Sequence, residues 1–198
     1  MTRIDPSRPF VLLDDARDRD ASPARLYADP MEIIQTRDPA AVPALLGRLK
    51  DGHWAGFIAY EAGHALEPRL GAPRLPAEPL LWFGRFEGYT EIAAEDVPSL
   101  LPDPAIGWLG HPRPDIGFDD YAKVLGQVQE WISAGDIYQA NLTLRASIST
   151  AGPPLALYAG MRGRAKAGYG GVIWTGEDWF LSLSPELVFA LHDGHLPP

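Results

Sequence analysis

The clearest alternation of hydrophobic and polar residues lies in the second half of the chain. Apolar residues recur at helical spacing over 121–132, after an aspartate at 119 or 120 that can act as an N-cap. Gly135 is a typical helix terminator, so this pattern predicts a helix that ends at residue 134. From Tyr138 to Ile148 the pattern changes to period 2, with apolar residues at even positions and polar residues at odd positions from Gln139 onward. That alternation predicts a strand with one apolar and one polar face.

Shorter apolar runs predict the rest of a sheet-rich fold. Bounded by polar or proline-rich stretches, they indicate strands at 9–13, 54–60, 80–86, 172–175, 179–184 and 187–191. The run at 54–60 is apolar throughout, which is typical of a strand at the centre of a sheet. Asp38-Pro39 combines an N-cap with a proline at the first helical position and predicts a short helix. A further helix is predicted near 157–165.

The last residues contain a strong hairpin signal with no room for its second strand. Asp193-Gly194 is typical of a two-residue turn, and the return strand would begin at His195. Because folded proteins avoid an unpaired apolar edge, we expect a chain that is truncated in mid-sheet. His192 and His195 flank the predicted turn and are interpreted as exposed turn residues rather than metal ligands, so we expect no metal site within the chain.

The composition is typical of a β-rich globular protein with many turns. Glycine and proline number 20 each among 198 residues, too many for a helix bundle, and 46% of the residues are hydrophobic, too many for a disordered chain. The formal net charge of −9 argues against nucleic acid and anionic membranes as partners. The chain has no cysteine, which excludes disulfides and thiolate zinc sites. Residues 1–20 lack the apolar stretch of a signal peptide, and no apolar run could span a membrane, so we expect a cytoplasmic protein.

Two sets of polar residues are candidates for chemistry, and each permits two interpretations. Ser184-Pro185-Glu186 places a carboxylate between two predicted strands. There it is either a solvated group at a strand end or a general acid/base held at the mouth of a sheet. The polar face of the predicted strand carries Gln139, Asn141 and Thr143, followed by Arg145. These four side chains either bind a carboxylate or face water.

Several of these residues lie in motifs that resemble those of the chorismate-utilising enzymes. Residues 135–143 read Gly-Asp-Ile-Tyr-Gln-Ala-Asn-Leu-Thr, which is similar to the G-D-I-[YF]-Q-V-N-L motif of that family. Ser184-Pro185-Glu186 is similar to the S-P-E that follows the motif. Residues 60–63 and 66–69 resemble an N-terminal stretch of the family's aminodeoxychorismate synthase component I branch. Asn141 favours this branch over the anthranilate synthases, which usually carry an apolar residue there.

The resemblance implies a fold and an activity. The fold would be α+β, an antiparallel two-sheet sandwich with outer helices, and residues 1–198 would be the N-terminal portion of one chorismate-binding synthase domain. An internal layer boundary is expected in the proline-rich stretch 97–114. The activity would be the conversion of chorismate to 4-amino-4-deoxychorismate for folate biosynthesis, with ammonia from a glutamine amidotransferase subunit.

Within this family Glu186 would be the catalytic general acid/base. The resemblance places the Mg²⁺ ligands and a catalytic lysine in a C-terminal half of the domain that would follow Pro198, so we expect residues 1–198 to be inactive alone. Two alternatives stay open. One is an anthranilate or isochorismate synthase, and the other is a non-catalytic module that binds tryptophan or docks the amidotransferase.

Members of this family also bind tryptophan, and the resemblance maps that pocket onto three stretches of the chain. These stretches are Asp14-Asp15, Arg25-Leu26-Tyr27 and Gly168-Tyr169-Gly170. The acidic pair would receive the ammonium group of the ligand. Two departures affect the pocket, because Asp15 replaces the family's serine and residues 167–170 replace its N-P-x-P-[YF] segment.

Overall fold

The computed structural model describes residues 3–71 and 76–191. In these ranges the strands are β1 (Phe10–Asp14), β2 (Ala24–Ala28), β3 (Glu32–Thr36), β4 (His53–Ile58), β5 (Leu81–Phe86), β6 (Thr90–Ile92), β7 (Trp108–Leu109), β8 (Arg113–Pro114), β9 (Ala146–Ser147), β10 (Thr150–Ala151), β11 (Tyr169–Trp174) and β12 (Trp179–Ser184). The helices are α1 (Val42–Leu46), α2 (Gly63–Leu66), α3 (Val97–Leu100), α4 (Phe118–Ala134) and α5 (Pro154–Ala165). Short 3-10 turns lie at Pro39–Ala41, Tyr60–Ala62, Pro68–Leu70 and Pro104–Ile106.

Five strands form an antiparallel sheet in the order β12-β11-β1-β2-β6. The predicted first strand is β1, which lies at the centre, so that Val11 is opposite Tyr27 on one side and Ile173 on the other. Because side chains alternate along a strand, Phe10 and Leu12 point to one face of the sheet and Val11 to the other. All three are buried, so the sheet is packed on both faces.

A second antiparallel sheet has three strands in the order β3-β5-β4. The predicted strand at 80–86 corresponds to β5, which lies at its centre. The prediction that the run at 54–60 forms a central strand was wrong, because β4 is an edge strand. Ala55 and Phe57 of β4 pack toward the five-stranded sheet, and that burial on one face accounts for large apolar residues in an edge strand.

The two sheets pack face to face as a sandwich. Buried residues of both sheets form one cluster between them: Val11, Tyr27, Ala55, Trp82 and Phe86. Phe57 and Phe180 extend this contact, with ring centroids 4.2 Å apart. The opposite face of the five-stranded sheet is covered by α3 and α5, through Val97, Leu155 and Tyr158. The predicted fold class is therefore confirmed: α+β, an antiparallel two-sheet sandwich with outer helices.

The predicted helix that ends at residue 134 is α4. Gly135 terminates it in the left-handed conformation, with φ 83°, and its N–H donates to the carbonyl of Ile132 at 3.1 Å. The N-cap is Gly117 instead of Asp119 or Asp120, which lie in the first turn. Aspartate is favoured both at the N-cap and in the first turn, because the positive end of the helix dipole stabilises negative charge at all of these positions. The sequence alone therefore does not distinguish the two locations.

The predicted two-faced strand from Tyr138 to Ile148 was wrong over most of its length. Only Ala146–Ser147 is a strand, and residues 136–145 have no regular structure. Tyr138 is 93% exposed, so its apolar side chain does not face a core. Alternation indicates which side chains share a face, whereas a strand also needs a neighbour to complete its hydrogen bonds. We call residues 136–145 the polar segment.

The proline-rich stretch 97–114 contains α3, a 3-10 turn and the short strands β7 and β8. β7 pairs with β10 and β8 pairs with β9, and the N–H of Gly110 donates to the carbonyl of Ser149 at 2.9 Å. These two ribbons bring the two ends of the excursion 115–145, which contains α4, side by side.

The predicted hairpin at 172–184 is confirmed, because β11 and β12 pair antiparallel. The Thr175 hydroxyl oxygen fixes its turn by accepting the N–H of Glu177 at 3.2 Å and of Asp178 at 2.9 Å. The strand predicted at 187–191 was wrong, since these residues have no regular structure. The predicted turn at 193–194, with His192 and His195, lies outside the described residues.

Gly56 of β4 lies close to the backbone of the neighbouring strand β5. A Cβ atom there would lie 2.0 Å from the carbonyl oxygen of Trp82 and 2.7 Å from the Cα of Phe83. We therefore expect Gly56→Ala to lower the free energy of unfolding by about 1–3 kcal/mol, measured by urea denaturation. Gly63→Ala is the matched control, because nothing lies within 4 Å of a Cβ there. Equal midpoints for the two variants would contradict the close approach.

Candidate functional site

Glu186 lies just beyond the end of β12, in a short turn that its own motif creates. The Ser184 hydroxyl donates to the Glu186 carbonyl at 3.0 Å, and the Glu186 N–H donates to the Ser184 oxygen at 3.3 Å. These two bonds fix the backbone and leave the side chain exposed. Among the described residues its carboxylate has no hydrogen-bond or ion-pair partner. The motif thus presents a solvent-accessible carboxylate at the end of an edge strand.

Gln139, Asn141 and Thr143 lie in the polar segment, and all three are exposed. The segment is attached at few points. The Tyr121 hydroxyl donates to the Leu142 carbonyl at 3.5 Å, and the Asp115 N–H donates to the Arg145 carbonyl at 2.9 Å. Within the described ranges no hydrogen bond joins these residues to Glu186, so neither candidate set fixes the other directly.

Arg145, at the end of the polar segment, reaches the other sheet. Its guanidinium forms an ion pair with Glu61, which lies in the 3-10 turn after β4. Both residues line a cleft of about 510 Å³ between the three-stranded sheet and the β11–β12 hairpin. Its lining combines apolar residues with charged ones: Phe57, Pro79, Trp179 and Phe180 are apolar, and Glu61, Glu78, Arg145 and Asp178 are charged. Glu61, in the motif-bearing stretch 60–63, therefore contacts Arg145, which follows the stretch 135–143 by two residues.

The residues that the resemblance assigns to a tryptophan pocket lie on neighbouring strands. Asp14 of β1 is opposite Gly170 of β11, and Leu12 of β1 is opposite Leu26 of β2. They nevertheless point to two sides of the sheet. Asp14, Leu26 and Gly170 face α5, whereas Arg25, Tyr27 and Tyr169 face the opposite side. Gly168 precedes β11 and borders the side chain of Arg17, and Asp15 follows β1.

Two side chains of α5 bind the Asp14 carboxylate. The Arg162 guanidinium donates to its two carboxylate oxygens at 2.6 and 3.0 Å, and the Tyr158 hydroxyl donates at 2.8 Å. The Asp14 side chain has no exposed surface. Burial, followed by the adjacent Asp14 carboxylate, raises the pKa of the Tyr158 hydroxyl far above its ordinary range. Gly170 completes this site, because a Cβ there would lie 2.8 Å from the Tyr158 hydroxyl.

Asp15 is engaged in a second, local set of bonds. Its carboxylate accepts from the Arg17 guanidinium at 2.6 Å and from the Ser22 N–H at 2.9 Å. The hydrogen bonds from Arg17 are the main reason why the pKa of Asp15 is lowered from 3.8 to about 2. Both carboxylates assigned to the ammonium of a ligand are therefore already bound by arginines. Tryptophan binding stays a prediction.

No group of three or more His, Asp or Glu side chains in residues 3–71 and 76–191 is placed to hold a metal ion. No helix in the same ranges is both long and apolar enough to cross a membrane.

Two arginine contacts that organise these regions, Arg162–Asp14 and Arg145–Glu61, were not predicted from the sequence. Arg162 lies four residues after Tyr158, so the two share a face of α5, and that spacing was the available signal. Glu61 and Arg145 are separated by 84 residues, and no local pattern connects them.

Comparison with known proteins agrees with the motifs. The family model for chorismate binding enzymes matches residues 8–197. Aminodeoxychorismate synthase component 1 from Salmonella typhimurium strain LT2 is 31% identical over 77 residues. The aligned region covers 39% of this chain and 17% of that relative.

The Asp14–Arg162 pair gives a prediction for stability. Arg162→Met leaves a fully buried carboxylate without its cationic partner, so we expect the free energy of unfolding to fall by about 3–5 kcal/mol in urea denaturation. Arg164→Met is the matched control, because Arg164 is an exposed residue of the same helix, and its effect should stay within about 0.5 kcal/mol. Comparable losses in both variants would show that the buried pair is not the cause.

The lowered pKa of Asp15 gives a prediction for pH dependence. A carboxylate whose pKa is about 2 in the folded state and 3.8 when unperturbed stabilises the fold above pH 4, and this stabilisation disappears as the pH falls toward 2. The difference in unfolding free energy between the wild type and Asp15→Asn should therefore shrink between pH 4 and 2. Asp18→Asn, at an exposed carboxylate of the same loop, serves as the control. If the difference in unfolding free energy between the wild type and Asp15→Asn did not change with pH, the lowered pKa of Asp15 would be contradicted.

Proposed function

The chain belongs to the family of chorismate binding enzymes, and on that premise we propose that it is part of an aminodeoxychorismate synthase. The observation that carries the proposal is the similarity to aminodeoxychorismate synthase component 1 within a chain that the family model matches almost throughout. The reaction is proposed for the whole protein, because the similarity covers a small part of that relative. It would take place in the cytoplasm with ammonia from a glutamine amidotransferase subunit.

Glu186 is the proposed general acid/base. Its exposed carboxylate can approach a substrate, and the Ser184 turn fixes the backbone that carries it. In the proposed step the bond between the ring carbon and its 4-hydroxyl breaks, and the hydroxyl leaves as water with a proton from Glu186. The ring carbon forms a bond to ammonia, and the proton released by the nitrogen returns to Glu186, so protons and charge balance.

The polar segment is the proposed substrate-side surface. Chorismate carries two carboxylates, and the chain as a whole carries a net charge of −9, which repels an anion. The binding surface therefore needs neutral or cationic hydrogen-bond donors next to the substrate. Gln139, Asn141 and Thr143 supply neutral hydrogen-bonding groups, and Arg145 adds a cation at the end of the segment. The described residues contain no group of side chains that could hold Mg²⁺. The roles proposed here for Glu186 and the polar segment therefore do not involve the ion.

Replacement of Glu186 tests the proposal. In the protein that carries this chain, supplied with chorismate and ammonia, we expect Glu186→Gln to lower kcat by about 10²–10⁴-fold while the unfolding midpoint is unchanged. The fold should survive because this side chain is exposed and its carboxylate has no hydrogen-bond or ion-pair partner among the described residues.

Glu177→Gln is the matched control, since Glu177 is also an exposed glutamate, in the β11–β12 turn. It should retain wild-type turnover. Chromatography identifies the product, and anthranilate or an isochorismate in place of 4-amino-4-deoxychorismate would contradict the proposed reaction. Near-normal turnover of Glu186→Gln would leave Glu186 without a catalytic role. Calorimetric titration with tryptophan tests the separate prediction of a tryptophan site.

A further inference from the structure

We propose that Glu61 is a positioning residue that acts through Arg145 to hold the polar segment in place. The kinetic consequence rests on the proposed function, whereas the structural consequence does not. Glu61 belongs to the sandwich and Arg145 belongs to the excursion that contains α4, so their ion pair joins two parts of the molecule.

The polar segment depends on this pair because it has few other attachments. At its start the Asp136 N–H donates to the carbonyl of Trp131, and at its centre Leu142 accepts one bond from Tyr121. At its end the backbone of Arg145 accepts from Asp115. All of these partners lie in the excursion itself. In the part of the chain that the structure describes, Glu61–Arg145 is the only hydrogen bond or ion pair between the segment and the three-stranded sheet or its turns.

The two partners are not equivalent. Glu61 follows β4 in a turn anchored by the buried Ala62, and its side chain is 14% exposed. Arg145 is 74% exposed, in a segment without regular structure. The glutamate is thus the fixed partner and the arginine the one whose freedom is restricted by the contact. Glu61 therefore positions Arg145, and not the reverse.

The contact also decides how Arg145 meets an anion. A guanidinium has five N–H donors, and one nitrogen of Arg145 is directed at Glu61. Since most of the side chain is exposed, the other donors stay accessible, two to six residues along the chain from Gln139, Asn141 and Thr143. A carboxylate of the substrate can bind there without displacing Glu61.

The structural test uses nitrogen-15 relaxation of the protein. In Glu61→Gln we expect the backbone order parameters of residues 142–145 to fall from about 0.8 toward 0.6 while those of β1 and β11 are unchanged. Glu32→Gln is the matched control, because it removes a partly buried, arginine-paired glutamate from β3 and should not affect the segment. Unchanged order parameters in Glu61→Gln would overturn the inference.

The kinetic test uses a double-mutant cycle on chorismate turnover. Glu61→Gln should lower kcat/KM by about tenfold, and Arg145→Met should lower it at least as much, because it also removes the proposed substrate-side cation. The double variant should be no worse than Arg145→Met, because Glu61 acts only through Arg145. Arg145→Lys keeps a cation beside Glu61 and should recover part of the loss. Additive losses would overturn the inference. A wild type that does not turn over chorismate refutes the proposed function alone, and the order parameters then decide the inference by themselves.

Discussion

Asp14 ends the central strand of the five-stranded sheet with a carboxylate that has no exposed surface, and α5 supplies both of its partners, Arg162 and Tyr158. A buried ion pair contributes little net stability compared with apolar packing, but either partner alone is strongly unfavourable. The pair therefore acts mainly as a register. It fixes α5 over the end of β1, and it requires a glycine at 170, where a side chain would meet the Tyr158 hydroxyl. The placement of α5 relative to the end of β1 therefore depends on this contact as well as on the apolar packing between them.

Local signals in the sequence were sufficient for several elements. Asp38 accepts from the Ala40 N–H at 3.0 Å and starts the predicted turn of helix, and Gly135 ends α4 as expected, since both effects depend on adjacent residues only. The prediction failed where the outcome depends on distant partners. The alternation after Tyr138 is real, yet the segment has no strand beside it within the described residues, and β4 is an edge strand despite its apolar sequence.

The candidate site shows the same division. The motifs at 135–143 and 184–186 could be recognised from the sequence, because each is a contiguous run with a fixed chemistry. Their relation in space could not, because both are exposed and no hydrogen bond within the described residues joins the Glu186 carboxylate to the polar segment. What connects the polar segment to the sandwich is an ion pair between residues 84 positions apart, which has no signature in either local sequence. Short motifs therefore identify the candidate residues, whereas their arrangement in space depends on contacts between residues far apart in the sequence.

The topology of the five-stranded sheet has a consequence for biosynthesis. β1 can pair with β2 as soon as both have left the ribosome, but its other neighbour, β11, lies about 160 residues later. At a synthesis rate of about 5–20 residues per second, the second edge of β1 waits roughly 10–30 s for its partner. During that interval the apolar residues of a central strand stand at an open edge, which is the arrangement most prone to wrong pairing between chains. The nascent chain is thus most vulnerable to aggregation before residue 174 emerges, and closure of the sheet by the β11–β12 hairpin ends that exposure.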